Sequence, residues 1–299
     1  MIAILGGLGA AILWATANLA SSRAGRIIGA SSTLAWMMLV GLVVATPFAV
    51  ASGPLPPITP LLAVWLTASG FGSVIGLMFV YRGLRIGKVG VVLALASTEG
   101  AIVAVFSVIS GESLTIPTAL VLAVIAVGIA VVALGSGGSD EPPESADAAG
   151  NLGSRRRSWL GPERTAVLYG VAGAISFGFS MYGTAKAGIS LPVAVAILPA
   201  RAVGVLFVFI PLALAGRLRM TRSAVPIVIV VALGEVVGNA SFVLGAQESI
   251  SVASVLASQY AAVAAVAAFI LFRERLTMPQ RSGFVAIAVG VAIITVLRG

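Results

Sequence analysis

The sequence predicts an all-α polytopic membrane protein, with ten transmembrane helices arranged as two inverted five-helix repeats. Three observations carry that reading. Hydrophobic residues make up 59% of the 299-residue chain and charged residues 9%, whereas a water-facing surface needs about a quarter charged. Ten apolar runs approach the roughly 20 residues that cross a hydrocarbon core. The second half of the chain also repeats the first at a fixed spacing.

The runs fall at 3–21, 31–51, 61–81, 89–109 and 116–135, then at 165–185, 191–215, 224–246, 251–271 and 281–297. They are rich in Gly, Ala, Val, Leu and Ile without alternation, so they read as helices rather than barrel strands. The first lacks a basic leader and is followed by Arg23 and Arg26, which makes it a span rather than a signal peptide. Turn chemistry separates the runs: Ser52-Gly53-Pro54, Arg82-Gly83, Gly111-Glu112 and Gly216-Arg217. The one long polar insert, 136–164, holds 9 of the 28 charged residues and too little apolar surface to fold. The chain therefore divides into a first repeat over 1–135, a disordered charged linker over 136–164 and a second repeat over 165–299. The Arg155 to Arg157 cluster with Trp159 suits a membrane-surface anchor.

The chain has no Cys and no His. That excludes disulfides, thiol chemistry, imidazole metal sites and Ser-His-Asp catalysis, and no cofactor is expected. Direct ATP drive has no motif, because Gly87-Lys88 is followed by Val89 where a phosphate-binding loop needs Ser or Thr. The net charge of +8 belongs to loops beside lipid headgroups, so no nucleic-acid partner is expected.

At an offset of 162, Gly72, Gly76 and Gly83 meet Gly234, Gly238 and Gly245. The Glu112-Ser113-Leu114-Thr115-x-Pro117 stretch meets Glu274-Arg275-Leu276-Thr277-x-Pro279. At 163, Ala11-Ile12 meets Ala174-Ile175 and Gly41 meets Gly204. Five spans per repeat is an odd number, so the second copy enters the membrane upside down. Such inversion marks secondary transporters, with the substrate between the halves at mid-bilayer.

Two five-helix repeats, each with a glycine-rich third helix and a Glu-x-Leu-Thr stretch after the fourth, resemble the EamA-type transporters of the drug/metabolite transporter superfamily. Glu112 and Glu274 stand at the family's loop glutamate, Trp14 with Asn18 at its first-helix pattern, and Arg201 at its second-helix arginine. The resemblance implies a ten-helix exporter or exchanger of small metabolites. The proline that the family commonly keeps in the fourth helix is absent around Glu99-Gly100 and Tyr260-Ala261.

Ionisable groups in hydrocarbon are costly and mark function. Glu99, Arg201 and Glu235 lie at the centres of their spans, opposite Ala261, Met38 and Ser73 in the other repeat, so all three break the symmetry. Glu235 and Asn239 share a helical face. The three charges are expected to face one cavity, with Glu235 sensing a cationic substrate or a proton; a purely structural Arg201 ion pair with Glu235 or Glu99 is the alternative. Trp14, Asn18, Tyr182, Gln259 and Tyr260 complete the expected substrate-binding or coupling set, as lining of a mostly apolar cavity. Glu112, Glu248 and Glu274, at helix ends, are expected to be solvated or to cap a terminus.

The expected function is export or exchange of a small organic solute, with the lipid bilayer as the other partner. Proton coupling and a homo-oligomer stay open. A lipid flippase or a non-transporting subunit is the alternative; a membrane enzyme would need converging catalytic groups that are missing. Loops after odd-numbered spans hold 15 Lys/Arg, against Lys186 and Arg298 on the opposite side. The positive-inside rule then puts both termini outside a plasma or inner membrane.

Overall fold

A computed structural model describes residues 1–84, 86, 92, 95–135, 162–260, 262–264, 266–267 and 278–298. Among the described residues there is helix and no strand, because backbone polar groups in lipid must be satisfied within the segment itself. The helices are α1 (Ile2–Ile28), α2 (Ala30–Ala51), α3 (Pro60–Leu84), α4 (Glu99–Ile109), α5 (Ile116–Gly135), α6 (Pro162–Ser190), α7 (Val193–Leu214), α8 (Val225–Ala246), α9 (Ile250–Ala257) and α10 (Met278–Arg298). By length and composition, α1 to α3 and α6 to α8 can each cross a membrane. Their outer faces carry large apolar side chains, among them Leu5 (65% exposed), Phe48 (66%) and Val64 (54%). A chain in water would bury such groups; here they are what lipid wets.

Several boundaries differ from expectation. Helix α1 runs on to Ile28, past Arg23 and Arg26, and stops at Gly29, whose φ of 84° favours a residue without a Cβ. Basic side chains suit that end, where the helix carbonyls point. Helix α6 begins at Pro162, within the range assigned to the linker, since proline fits a first helical turn. Residues 136–161, with the expected anchor, lie outside the described residues, as do Glu274 and the Arg275-Leu276-Thr277 that follows it.

The expected spans at 89–109 and 251–271 are each interrupted near their middle, by turns at Ser97-Thr98 and Ser258-Gln259. No proline is needed for either break. The Thr98 hydroxyl donates to the Leu95 carbonyl at 2.6 Å and the Ser258 hydroxyl to Val255 at 2.9 Å. The Ser258 bond occupies a carbonyl that the interrupted ladder frees, since the Gln259 amide turns to Leu256, and the Thr98 hydroxyl adds to the bond its own amide makes to Leu95.

The helices pack in cross-half pairs: α1 on α8, α3 on α6, α2 on α7, α4 on α9 and α5 on α10. Glycine sets the close approaches. A Cβ on Gly6 would stand 2.6 Å from the Gly245 Cα, and one on Gly72 would stand 2.8 Å from the Ser176 carbonyl oxygen. Backbones this close give van der Waals contact where apolar lipid offers no hydrophobic drive between helices.

Candidate functional site

A cavity of about 350 Å³ lies at the centre of the bundle, lined from α1, α2, α3, α6, α7, α8 and the two broken segments. It extends from Trp14 and Tyr260 to Ser21, Ala30 and Tyr81, at the end where α1 turns into α2. At the opposite end rings close the path. Trp65 meets Tyr182 edge-on at 5.4 Å, and Phe106 meets Phe179 at 5.2 Å and Tyr182 at 6.0 Å. Edge-to-face packing of this kind is favourable beyond the area it buries. Past those rings lies a second hollow of about 280 Å³, holding Lys186, whose ammonium sits 5.4 Å from the Tyr182 ring centre.

Helical spacing explains the lining. Ser73, Leu77 and Tyr81 recur every fourth residue on α3, while Phe177, Ser180, Met181 and Thr184 form a stripe on α6. Arg201 follows Pro199, which lies inside α7 and leaves the Val195 carbonyl without its helical N–H partner. The helix recovers through a π turn at Val205–Phe209, a form frequent at functional sites.

The electrostatic centre is an ion pair. Arg201, with its side chain 4% exposed, donates from Nη2 to Glu235 Oε2 at 3.2 Å, and its Nη1 points to the Met38 sulfur at 3.8 Å. Its Nε lies against Gly41, where a Cβ would approach to 3.5 Å, and has no acceptor among the described residues. Asn239 donates to the Glu235 carbonyl at 2.7 Å and, more weakly, to its carboxylate at 3.4 Å. Across the cavity the Tyr260 hydroxyl donates to Glu99. Glu99 is the first residue of α4, so its carboxyl stands at a helix N-terminus in mid-bundle.

A second acidic centre lies at the loop after α4. Glu112 accepts from the Ser249 hydroxyl at 2.5 Å, from the Ser251 amide at 3.1 Å and from the Ser251 hydroxyl at 2.9 Å, and also bonds Ser107. Burial works to raise its pKa, but these bonds together outweigh it and hold the carboxyl below the ordinary value of 4.5. Glu112 thereby caps α9 from the opposite half, and Glu248 likewise accepts from the Ala3 amide of α1 at 2.9 Å.

The structure brings Glu99, Arg201, Glu235, Asn239, Trp14, Asn18 and Tyr260 to the wall of one cavity. It separates two expected residues from them. Tyr182 belongs to the ring closure and the far hollow, and Gln259 is buried at the second helix break. Tyr81, Met37, Met181 and Thr184 line the cavity without having been singled out. Their stripe spacing is the signal that pointed to them. Among the described residues no cluster suits a metal ion.

The first 134 residues match the family model described as the EamA-like transporter family. The match ends at the close of α5. No curated protein matches the chain by sequence. A protein of known crystal structure shares the fold at a TM-score of 0.70, covering 99% of this chain and 96% of its own, at 18% identity. The likeness therefore takes in the second half as well as the matched segment.

Proposed function

We propose that this protein is a ten-span secondary transporter that exports or exchanges a small organic solute by alternating access. The observation that carries the reading is the central cavity, where Arg201, Glu235, Asn239 and Glu99 converge inside a bundle otherwise apolar. Charges at such depth are too costly to keep without use.

Reciprocal packing supports two inverted repeats. Contact of α1 with α8 is mirrored by α6 with α3, α1 with α9 by α6 with α4, and α2 with α8 by α7 with α3. The residues follow the same rule: a Cβ on Gly76 would meet Phe177 as one on Gly238 would meet Trp14, and Gly204 faces Met38 as Gly41 faces Arg201. A twofold axis in the membrane plane generates such pairs.

Arginine carries five N–H donors, and Arg201 gives Glu235 a single bond rather than a two-pronged clamp. The remaining donors can take an anionic group of a solute, while Glu235 and Asn239 offer acceptors to a cationic one. With the basic loops in the cytoplasm, the cavity faces inward and the Trp65–Tyr182 closure faces out, the state in which an exporter loads. The charges lie in this interior cavity, whereas the groove between α3 and α6 around Val64, Phe71 and Ile175 carries none, which favours a solute over a lipid.

The test compares metabolite profiles of cells and medium with and without the expressed protein. The proposal requires at least one small solute to move to the medium with the wild type and to stay in the cells with Arg201→Met. Identical profiles would reject it.

A further inference from the structure

The geometry points to Glu99, rather than Glu235, as the group that binds and releases a coupling proton, with Tyr260 as the partner that reports its state to the other repeat. This rests on the transport reading above and adds a coupling site to it.

The sequence alone favoured Glu235, because it is central and breaks the repeat symmetry. In the structure that carboxylate already has a cation, Arg201, at 3.2 Å, and an amide donor in Asn239. The Glu235 charge is thus already matched by a cation within the protein. Glu99 differs: among the described residues no cation reaches it, and its side-chain partner is the neutral phenol of Tyr260. A charge in a low-dielectric cavity without a counter-ion is costly, and a bound proton is what neutralises it.

Glu99 is faced by Tyr260 from beyond α9 and by Glu235 from α8, with Arg201 of α7 behind Glu235. Tyr81 of α3 lines the same cavity, and α1 and α6 contribute Trp14, Phe177 and Ser180, none of which titrates as an acid or base near neutrality. Glu235 is thus the negative neighbour of Glu99, and two carboxylates sharing one cavity disfavour double ionisation.

The position also supplies coupling. Glu99 is the first residue after the Ser97-Thr98 break, and Tyr260 the first after the Ser258-Gln259 break. The two broken segments cross at Gly100, where the Ser254 hydroxyl donates to the Gly100 carbonyl at 3.1 Å. The Glu99–Tyr260 bond therefore ties one half of the molecule to the other at their crossing. When Glu99 holds a proton, its carboxyl is neutral and the phenol bond weakens. When the proton leaves, the carboxylate draws the phenol in. A proton that binds the two arrangements unequally shifts their populations, which is what coupling requires.

Infrared difference spectra of the purified protein in lipid, recorded between acid and alkaline buffer, read this site without a known substrate. We expect a protonated-carboxyl C=O band that disappears with pH, is lost in Glu99→Gln, persists in Glu235→Gln, and moves to higher frequency in Tyr260→Phe as its hydrogen bond is removed. A band that survives Glu99→Gln or vanishes with Glu235→Gln overturns the assignment. If Glu99→Gln does not assemble, Glu99→Asp must displace the band and Glu235→Asp must leave it in place; the reverse pattern also overturns it. Solute efflux is scored separately in cells. Efflux without a Glu99 band rejects the proton site alone, and a Glu99 band in a protein that moves no solute rejects the transport reading alone.

Discussion

Arg201 on α7 and Glu235 on α8 meet at 3.2 Å inside the central cavity, each at a position whose repeat mate is uncharged. Met38, the mate of Arg201, lies 3.8 Å from its guanidinium, so the basic residue and the thioether that replaces it by symmetry are in contact. Two of the three charges that break the repeat symmetry therefore meet at one point.

Removing one partner should leave the other charge buried. Glu235→Gln is expected to cost up to about 3 kcal/mol of stability, the lower end of the range for breaking a buried pair from one side, because the Glu235 side chain keeps 23% exposure. Adding Arg201→Met to that variant should restore most of the loss. Thermal unfolding in detergent checks both statements; a double variant no more stable than Glu235→Gln would count against a tight pair.

Helix approach should tolerate no side chain where backbone opposes backbone. Gly6→Ala places its Cβ 2.6 Å from Gly245 Cα, so it should destabilise by about 1–3 kcal/mol, the range for overpacking. Gly9→Ala meets the Ser241 hydroxyl at 2.6 Å, and a side chain that can rotate should make it the milder change. Comparing the unfolding midpoints of the two decides whether this approach matters.

Much of this architecture was legible in the sequence. Hydropathy gave the apolar runs, and the 162–163 offset paired Gly76 with Gly238 and Gly41 with Gly204, glycines whose contacts in the structure are reciprocal. The seven residues on the cavity wall were found because deep charge and amphipathic aromatics are rare in apolar spans. What could not be read was partner choice. Nothing in the spacing says that Arg201 selects Glu235 over Glu99, since that depends on how α7 bends after Pro199. The two mid-span breaks were missed as well, because hydroxyl residues end a helix only where they turn back on their own carbonyls.

Acid should loosen the contact between the halves at Glu112. Its folded-state pKa lies below the unfolded value of 4.5, so its stabilising contribution is fully present above 4.5 and is lost as pH falls through the folded value. The wild type should lose thermal stability below about pH 4.5, and Glu112→Gln should be less stable at neutral pH with a flatter acid dependence. A wild-type midpoint that stays level through that window would show the Glu112 capping to be unimportant.

Orientation is testable because the chain lacks cysteine. Ser52→Cys, at the end of α2, should react with an impermeant maleimide in intact cells, and Ser223→Cys, in the basic loop before α8, should react after lysis alone. The opposite pattern would reverse the protein in the membrane.

The central claim is that one cavity opens alternately to the two sides. Spin labels on cysteine pairs measure it directly, one pair across the inner mouth at Ser21 and Tyr81, and one across the far hollow at Thr59 and Ser110. In lipid, pulsed electron resonance should give two distance populations for each pair. On changing pH the inner pair should shift toward its shorter distance as the outer pair shifts toward its longer one. Single, pH-independent distances for both pairs, in protein that is folded and inserted, would contradict alternating access.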